Sequence, residues 1–194
     1  MSNLQRLGLF GGSFNPVHLG HLLVAQAARE ELGLTRLYFI PAAQSPFKPV
    51  SAPAPAADRL RLLRLALAGQ TDCQIDEQEL RRGGISYTID TVRAYERRFP
   101  DAELFYLIGA DHIPLLPQWR EARELARRVT FVVIPRPGVA LPPTPPPFRS
   151  RALVGFPLGV SSSQIRARIQ AGQSIDLLVP PAVAESIRNY GLYL

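Results

Sequence analysis

The stretch RLGLFGGSFNPVHLGHLLVAQAAREELG, at residues 6–33, changes its hydrophobic pattern midway. Its first part, RLGLFGG at 6–12, is a short apolar run that ends in two glycines and predicts a buried β-strand. The part from 18 to 33 has apolar residues at helical spacing, and Gly33 is a typical helix stop. The stretch therefore predicts a strand, a glycine-containing turn and a helix.

The same alternation of strand and helix continues along the chain. Further strands are predicted at 36–41, 73–77, 103–111 and 129–135, and further helices at 56–69, 86–99, 119–128, 161–172 and 180–191. Ser86 or Thr88 is expected to cap the helix at 86–99. The proline run at 141–147 is expected to be a surface loop. This order predicts an α/β fold, a doubly wound parallel sheet with helices on both faces.

Length and composition limit the classes of protein that fit. The 194 residues suit a single domain, 1–194, with a small C-terminal helical part from about residue 160. We find no apolar run that could span a bilayer and no secretory signal, so we expect a cytoplasmic protein without a membrane partner. The one cysteine, Cys73, excludes an internal disulfide and a cysteine-built metal site.

The basic character of the chain raises the question of a nucleic-acid partner. The formal net charge is +6 and the pI is about 10.1. Many arginines, such as Arg93 and Arg97, alternate with acidic residues on predicted helix surfaces, which is typical of solvated faces. We therefore expect no nucleic-acid partner; a nucleic-acid binder stays an alternative, which steep salt dependence of binding would reveal.

Residues 11–21, GGSFNPVHLGH, carry the strongest chemical signal. Glycines after a strand allow close backbone approach, and a helix N-terminus attracts anions. His18 and His21 stand three residues apart at the helix start, so both rings project on about the same face. This arrangement predicts a site for phosphate oxygens. Zinc is the competing interpretation, for which Asp58 or Asp111 would have to supply a third ligand.

Other common nucleotide and hydrolase signatures are missing from the sequence. It contains neither G-x-x-x-x-G-K-[ST] nor G-x-G-x-x-G, which disfavours P-loop kinases and dinucleotide oxidoreductases. It also lacks G-x-S-x-G, which disfavours serine hydrolases of that type. Lys48 is the only lysine in a chain that otherwise uses arginine. Either a specific need for a compact ammonium or chance survival on the surface would explain it.

These motifs resemble a known family. GGSFNPVHLGH is similar to the H-x-G-H phosphate-binding segment of the nucleotidyltransferase superfamily, and the rest of the chain resembles the bacterial nicotinate-nucleotide adenylyltransferases. The resemblance extends over PAAQSPFKP at 41–49, SYTIDT at 86–91, LIGAD at 107–111, Trp119, IPRPG at 134–138, VSSSQIR at 160–166 and VPPAVAESIRNYGLY at 179–193. The order and spacing of the segments together are specific.

The resemblance implies a Rossmann-like sheet and an activity in NAD biosynthesis. AMP would pass from ATP to nicotinate mononucleotide, giving deamido-NAD and pyrophosphate, by direct in-line attack without a covalent intermediate. Mg²⁺ is expected to arrive with ATP, without a fixed metal site in the protein. Alternatives are another phosphate acceptor, such as nicotinamide mononucleotide or phosphopantetheine, or a nucleotide-binding regulator without turnover. A homo-oligomer is possible.

The resemblance also assigns roles to individual residues. Trp119 would stack on the pyridine ring, and Thr88 with nearby backbone N–H groups would receive the nicotinate carboxylate. Asp111 would meet a ribose or the acceptor. The implied catalytic residues are His18, His21, Lys48 and Arg166; the ATP site would add Gly11, Gly12, Ser13, Phe14, Asp111, Ser162 and Ser163, and the acceptor site Asn15, Lys48, Ser86, Tyr87, Thr88, Trp119 and Arg136.

The chain departs from the family pattern at a few positions. Phe47 stands where relatives usually have histidine, so it offers no imidazole contact. Val160, Ser161 and Ser163 replace the isoleucine and threonine often found in the late motif, and these changes keep the hydroxyl groups and Arg166.

Overall fold

The computed structural model describes residues 4–46, 54–156 and 158–194. The strands are β1 (Arg6–Gly12), β2 (Arg36–Pro41), β3 (Cys73–Ile75), β4 (Glu103–Gly109), β5 (Thr130–Ile134) and β6 (Ser150–Ala152). The α-helices are α1 (Leu19–Leu32), α2 (Ala56–Ala66), α3 (Gln78–Arg82), α4 (Thr88–Arg98), α5 (Ala122–Arg128), α6 (Ser162–Gln170) and α7 (Pro181–Asn189), and a 3₁₀ helix spans Ala110–Gln118.

The strands form one sheet in the order β3-β2-β1-β4-β5-β6, and every pairing is parallel. β1 lies between β2 and β4, with Leu9 opposite Tyr38 on one side and Tyr106 on the other. This is the doubly wound order, in which the chain reverses direction across the sheet between β1 and β4. The predicted α/β fold is confirmed.

Alternating side chains of the strands cover opposite faces of the sheet. Leu7 and Leu9 of β1 pack in a core with residues of α4, α5 and the 3₁₀ helix, among them Ile89, Val92, Tyr95, Ile113 and Leu125. Phe10 faces the other core, which contains residues of α1, α2, α6 and α7, among them Leu32, Leu62, Ile165 and Val183. Helices therefore cover both faces, as predicted.

Several local predictions are wrong. α4 begins at Thr88, with Tyr87 at the N-cap position and no side-chain cap, because the Ser86 hydroxyl instead accepts a hydrogen bond from the Ala43 N–H at 3.0 Å. α5 begins only at Ala122, because Glu121 has a left-handed backbone with φ of 55°.

Three elements were not predicted: α3, the 3₁₀ helix and β6. The strand predicted to end at 111 stops at Gly109 and runs into the 3₁₀ helix, whose Pro114 and Pro117 do not suit an α-helix interior. β6 has three exposed residues and shows no apolar signal. Residues 141–147 contain no helix or strand, in agreement with a loop. Within the described residues, no helix has both the length and the apolar character that crossing a bilayer requires.

Ion pairs connect α4 to α5 on the outer surface of the protein. Arg93 donates two hydrogen bonds to the Glu124 carboxylate, at 2.8 and 2.5 Å, and Arg128 donates another at 2.7 Å. Arg128 also pairs with Glu96. The hydrogen bond from Arg93 is the main cause that lowers the pKa of Glu124 to about 2. Arg93 and Arg128 of these helices thus have acidic partners.

A buried polar cluster ties α3 to α4. Tyr95, which is 1% exposed, donates its hydroxyl to Asp76 Oδ2 at 2.8 Å, and Asp76 Oδ1 accepts the Gln78 N–H at the start of α3. Thr91 donates to the carboxylate of buried Glu79 at 2.5 Å. These hydrogen bonds satisfy carboxylates that would otherwise be costly to bury.

We expect Tyr95→Phe to destabilise the protein by about 1–3 kcal/mol, because it removes a donor from a buried carboxylate without changing the ring. Urea unfolding at pH 7 would measure the change. Tyr190→Phe is the matched control, since Tyr190 is exposed. An equal loss in both variants would contradict the role of the Asp76 hydrogen bond.

Candidate active site

The candidate site lies at the carboxyl ends of β1 and β4. Gly11 and Gly12 end β1, and Gly109 ends β4. The chain leaves β1 towards α1 on one face of the sheet and leaves β4 towards the 3₁₀ helix on the other face. Such a divergence opens a crevice where ligands bind in open α/β sheets.

The turn at residues 13–18, here called the phosphate loop, is held through its backbone carbonyls. Arg59 of α2 donates to the Ser13 carbonyl at 2.8 Å. From α6, Arg166 donates to the Asn15 carbonyl and Ser162 to the Pro16 carbonyl, each at 2.8 Å. In a trans peptide the next N–H points the opposite way from the carbonyl. Anchoring the Ser13 carbonyl on α2 therefore turns the Phe14 N–H away from that helix.

Phe14 and Asn15 contribute backbone rather than side chain to this loop. Phe14 has φ of 45°, and its ring is buried among Phe10, Phe39 and His21. The Asn15 side chain accepts a hydrogen bond from the Ala54 N–H at 3.1 Å, and Asn15 is not among the residues that line the predicted acceptor pocket. Any contact of Phe14 with a nucleotide would therefore pass through its N–H.

His18 and His21 lie against each other at the start of α1, with ring centroids 3.7 Å apart. His21 Nδ1 accepts the His18 N–H at 3.2 Å, which assigns the proton of the neutral His21 ring to Nε2. Gly20 makes this stacking possible, because a Cβ there would lie 3.0 Å from both His18 Nδ1 and Val160 Cγ1. The rings are thus fixed as a pair.

Burial sets the charge of His18. The residue is 6% exposed, and desolvation lowers its pKa to about 4. His18 is therefore neutral at pH 7 in the protein without ligand. A neutral imidazole keeps one N–H donor, and a bound anion would favour a second proton on the ring.

The late predicted motif joins the phosphate loop from α6. Ser161 is the N-cap of α6 and forms a capping box with Gln164. Ser163 accepts a hydrogen bond from Arg166 at 3.2 Å. The structure thus brings Ser162, Ser163 and Arg166 to the same loop as the histidines. There, Ser162 and Arg166 bind loop carbonyls, and Arg166 also binds Ser163.

Thr88 and Trp119 line one pocket of about 230 Å³. The other residues that line it are Pro46, Tyr87, Gln118, Arg120 and Leu125. Trp119 makes edge contacts with Tyr106 and Phe131, at centroid distances of 6.2 and 5.9 Å. The Arg120 guanidinium lies over the Tyr87 ring at 4.6 Å. An aromatic wall, a hydroxyl and a cation therefore surround a space suited to a flat anionic ring.

Tyr106 connects this pocket to the end of β1. Its hydroxyl accepts a hydrogen bond from Thr88 Oγ1 at 3.3 Å. A Cβ at Gly11 would lie 2.4 Å from the same hydroxyl, so the glycine is required for this close approach. Burial raises the pKa of Tyr106, which stays protonated. The sequence does not indicate a role for Tyr106 at the site, because this residue belongs to an apolar strand and no motif marks it.

The remaining predicted residues are distributed around these two centres. Asp111 and Arg136 form an exposed ion pair, Oδ1 to Nη2 at 3.1 Å, beyond the ends of β4 and β5. Ser86 is buried and binds the Ala43 N–H rather than lining the pocket. Phe47 and Lys48 lie outside the described residues.

Arg59 is the other residue that sequence reasoning missed. It shares the apolar face of α2 with Leu62, Leu63 and Ala66, which stand at helical spacing from it. A charged residue at a position of this face is the sequence signal that could have identified it.

The candidate zinc ligands do not lie together in one cluster. Asp58 pairs with Arg61 at 2.7 Å and Asp111 with Arg136. Across residues 4–46, 54–156 and 158–194, no group of three His, Cys, Asp or Glu residues could hold a metal ion.

Comparison with known proteins identifies relatives over almost the whole chain. Residues 9–168 match the cytidylyltransferase-like family. A probable nicotinate-nucleotide adenylyltransferase from Opitutus terrae is 40% identical over 191 residues, covering 97% of this chain and 98% of the relative. One from Thermus thermophilus is 43% identical over 189 residues, covering 97% and 100%.

Solved structures share the fold. The nicotinic acid mononucleotide adenylyltransferase of Plasmodium falciparum, complexed with NaAD, superposes with a TM-score of 0.80 at 16% identity, covering 97% of each chain. A putative nicotinate-nucleotide adenylyltransferase from Vibrio parahaemolyticus gives 0.72 at 19% identity, covering 98% of this chain and 96% of the other. The sequence relatives, together with this fold, show that the chain belongs to the nicotinate-nucleotide adenylyltransferase family.

Proposed function

We propose that the protein transfers AMP from ATP to nicotinate mononucleotide, forming deamido-NAD and pyrophosphate in NAD biosynthesis. The observation that carries this proposal is the pairing of a histidine-bearing phosphate loop with an adjacent aromatic pocket across the β1–β4 crevice. The family of the chain points to the same reaction. The acceptor phosphate attacks the α-phosphorus in line, so the protein supplies position and charge stabilisation.

On the phosphate side, we assign ATP to the phosphate loop and the start of α1. His18 and His21 donate hydrogen bonds to phosphate oxygens, whose charge grows in the transition state. Gly11, Gly12, Ser13 and the Phe14 N–H line the approach, Ser162, Ser163 and Arg166 border it from α6, and Asp111 binds a ribose. Lys48 is proposed to add a cation.

On the acceptor side, Trp119 stacks on the pyridine ring and Thr88 binds the carboxylate, aided by backbone N–H groups. Tyr87 and Arg120 lie on the same wall of the pocket. Arg120 favours a carboxylate over a carboxamide through charge. Arg136, Asn15 and Ser86 are proposed to act on the acceptor side only indirectly, because they bind Asp111, the Ala54 N–H and the Ala43 N–H instead of lining the pocket.

Mg²⁺ is proposed to enter with ATP, whose phosphates are the hard oxygen ligands it prefers, and to neutralise part of their charge. The chain is proposed to act as one domain, because α6 reaches back to the phosphate loop. The cytoplasmic location and the possible homo-oligomer stay predictions.

Pyrophosphate release from Mg-ATP tests the reaction. Nicotinate mononucleotide, nicotinamide mononucleotide and phosphopantetheine are each offered separately to the purified protein. We expect strong preference for the first, because the pocket combines an aromatic wall with Arg120. Preference for another acceptor would refute the assigned acceptor pocket, and ATP binding without release for any acceptor would favour a regulator.

His18→Ala should remove roughly 2–4 kcal/mol of transition-state stabilisation, which appears as a lower kcat/KM. The effect on the KM of the acceptor should be smaller. Steady-state kinetics with each substrate varied measures both values. A variant that keeps near-normal kcat while only ATP affinity falls would show that His18 has no catalytic role.

Mg-ATP binding should take up protons as the pH is lowered from neutral towards about 4, the pKa of His18 without ligand. Burial holds the pKa of His18 at about 4 without ligand, and phosphate charge next to the ring raises it. The bound state therefore carries more protons, and affinity should rise as the pH falls through this range. Calorimetry in buffers of different ionisation enthalpy measures the uptake, and His18→Ala should lose it. Equal uptake in that variant would assign the proton to another group.

A further inference from the structure

The side of α2 that faces the phosphate loop carries a buried cation, Arg59, to which the proposed function assigns no role. Arg59 is 2% exposed, and its guanidinium donates to two backbone carbonyls, that of Ser13 at 2.8 Å through Nη1 and that of Ala54 at 3.1 Å through Nε. Ser13 belongs to the phosphate loop. Ala54 precedes α2, and its N–H is bound by the Asn15 side chain. One guanidinium therefore joins the loop after β1 to the segment that enters α2.

The charge of Arg59 is not balanced by a carboxylate. The ion pairs of the described residues do not include Arg59, and neighbouring Asp58 binds Arg61. Burial lowers the pKa of Arg59, and the Tyr193 phenol opposes this effect. Desolvation also raises the pKa of Tyr193 to about 12, with Arg166 and Arg59 as the cations near it. A buried guanidinium without a counter-ion is costly, because desolvation is not repaid by an opposite charge.

Stability alone is a poor explanation for this arrangement. Leu62, Leu63 and Ala66, on the same face of α2, pack into the core without any such cost. An apolar side chain of similar size at 59 would remove the desolvation penalty. What it would lose is the hold on the Ser13 carbonyl and a fixed positive charge directly behind the loop.

We propose that Arg59 is a positioning residue for ATP, which fixes the Ser13–Phe14 peptide so that its N–H faces the phosphates and places a positive charge behind them. This inference rests on the proposed function for the identity of the anion. The planar guanidinium binds two carbonyls at once in a fixed geometry. The ammonium of a lysine would hold them with less geometric control. Its charge acts through a water-poor interior, where it is screened weakly. Substrate completes the charge balance that the free protein lacks.

The test compares Arg59→Met and Arg59→Lys with Arg64→Met. Arg64 lies on the same helix, is exposed and pairs with Glu77, so its variant controls for loss of an α2 arginine. Thermal unfolding reports the fold, calorimetric titration with Mg-ATP reports binding without acceptor, and steady-state kinetics reports kcat and both KM values.

For Arg59→Met we expect a folded protein whose Kd for Mg-ATP rises about tenfold or more. Its kcat/KM for ATP should fall roughly 100-fold, since small misplacement of a positioning group is enough for such a loss. The KM for the acceptor should change less than about threefold, on the same argument. Arg59→Lys should recover part of the ATP binding, and Arg64→Met should match the wild type.

Wild-type binding by folded Arg59→Met, or equal losses for both substrates, would overturn the proposal. If Arg59→Met does not fold, Arg59→Lys decides: an ATP-specific loss supports the proposal, and wild-type behaviour or equal losses overturn it. Failure of the proposed function can be distinguished from failure of this inference. In that case the wild type would show no turnover, while the Mg-ATP titrations would still compare ATP binding by the wild type and the variants. Absence of Mg-ATP binding by the wild type would overturn both.

Discussion

The parallel pairing of β1 between β2 and β4 is the constraint on which the rest of the structure depends. Because β1 is central, its side chains are buried on both faces, and its carboxyl end lies beside that of β4. The chain must then leave the two strands towards opposite faces. The crevice that results is a consequence of connectivity, and it brings the glycine-containing ends of β1 and β4 to the same edge of the sheet before any ligand is considered.

Two kinds of contact convert this crevice into a site. The phosphate loop is fixed from behind by Arg59, Arg166 and Ser162, which hold the carbonyls of Ser13, Asn15 and Pro16. The Ser13 and Pro16 carbonyls belong to peptides that carry an N–H, the usual means of binding phosphate. The aromatic pocket is fixed from the other core through Tyr106, which contacts both Thr88 and Gly11. Each half of the site therefore rests on a different hydrophobic core, and β1 and β4 join the two halves.

The electrostatics of the phosphate side follow from burial. Burial acts differently on His18 and Arg59: His18 stays neutral and so avoids burying a charge, whereas Arg59 keeps its charge without a carboxylate partner. A bound polyanion would favour the charged form of the His18 ring and balance the guanidinium. Arg93 and Arg128 on the outer surface of α4 and α5 differ from Arg59, because each pairs with a carboxylate, Glu124 or Glu96.

Local pattern in the sequence determined the sheet, most helices and the phosphate loop. Strand and helix periodicities are local, and the glycines and histidines at 11–21 stand within one turn of chain, so their proximity needs no long-range contact. The tertiary structure alone decided that Ser86 binds Ala43 instead of capping α4, that Glu121 delays α5, and that Arg59 and Tyr106 support the site. These depend on contacts between residues far apart in the chain, or on a strained backbone. Of these features, only Arg59 leaves a trace in the sequence, as a charged residue on the apolar face of α2. Side chains from two cores meet at β1 only after the sheet has formed, because burial and hydrogen-bond competition act on the packed chain rather than on the sequence.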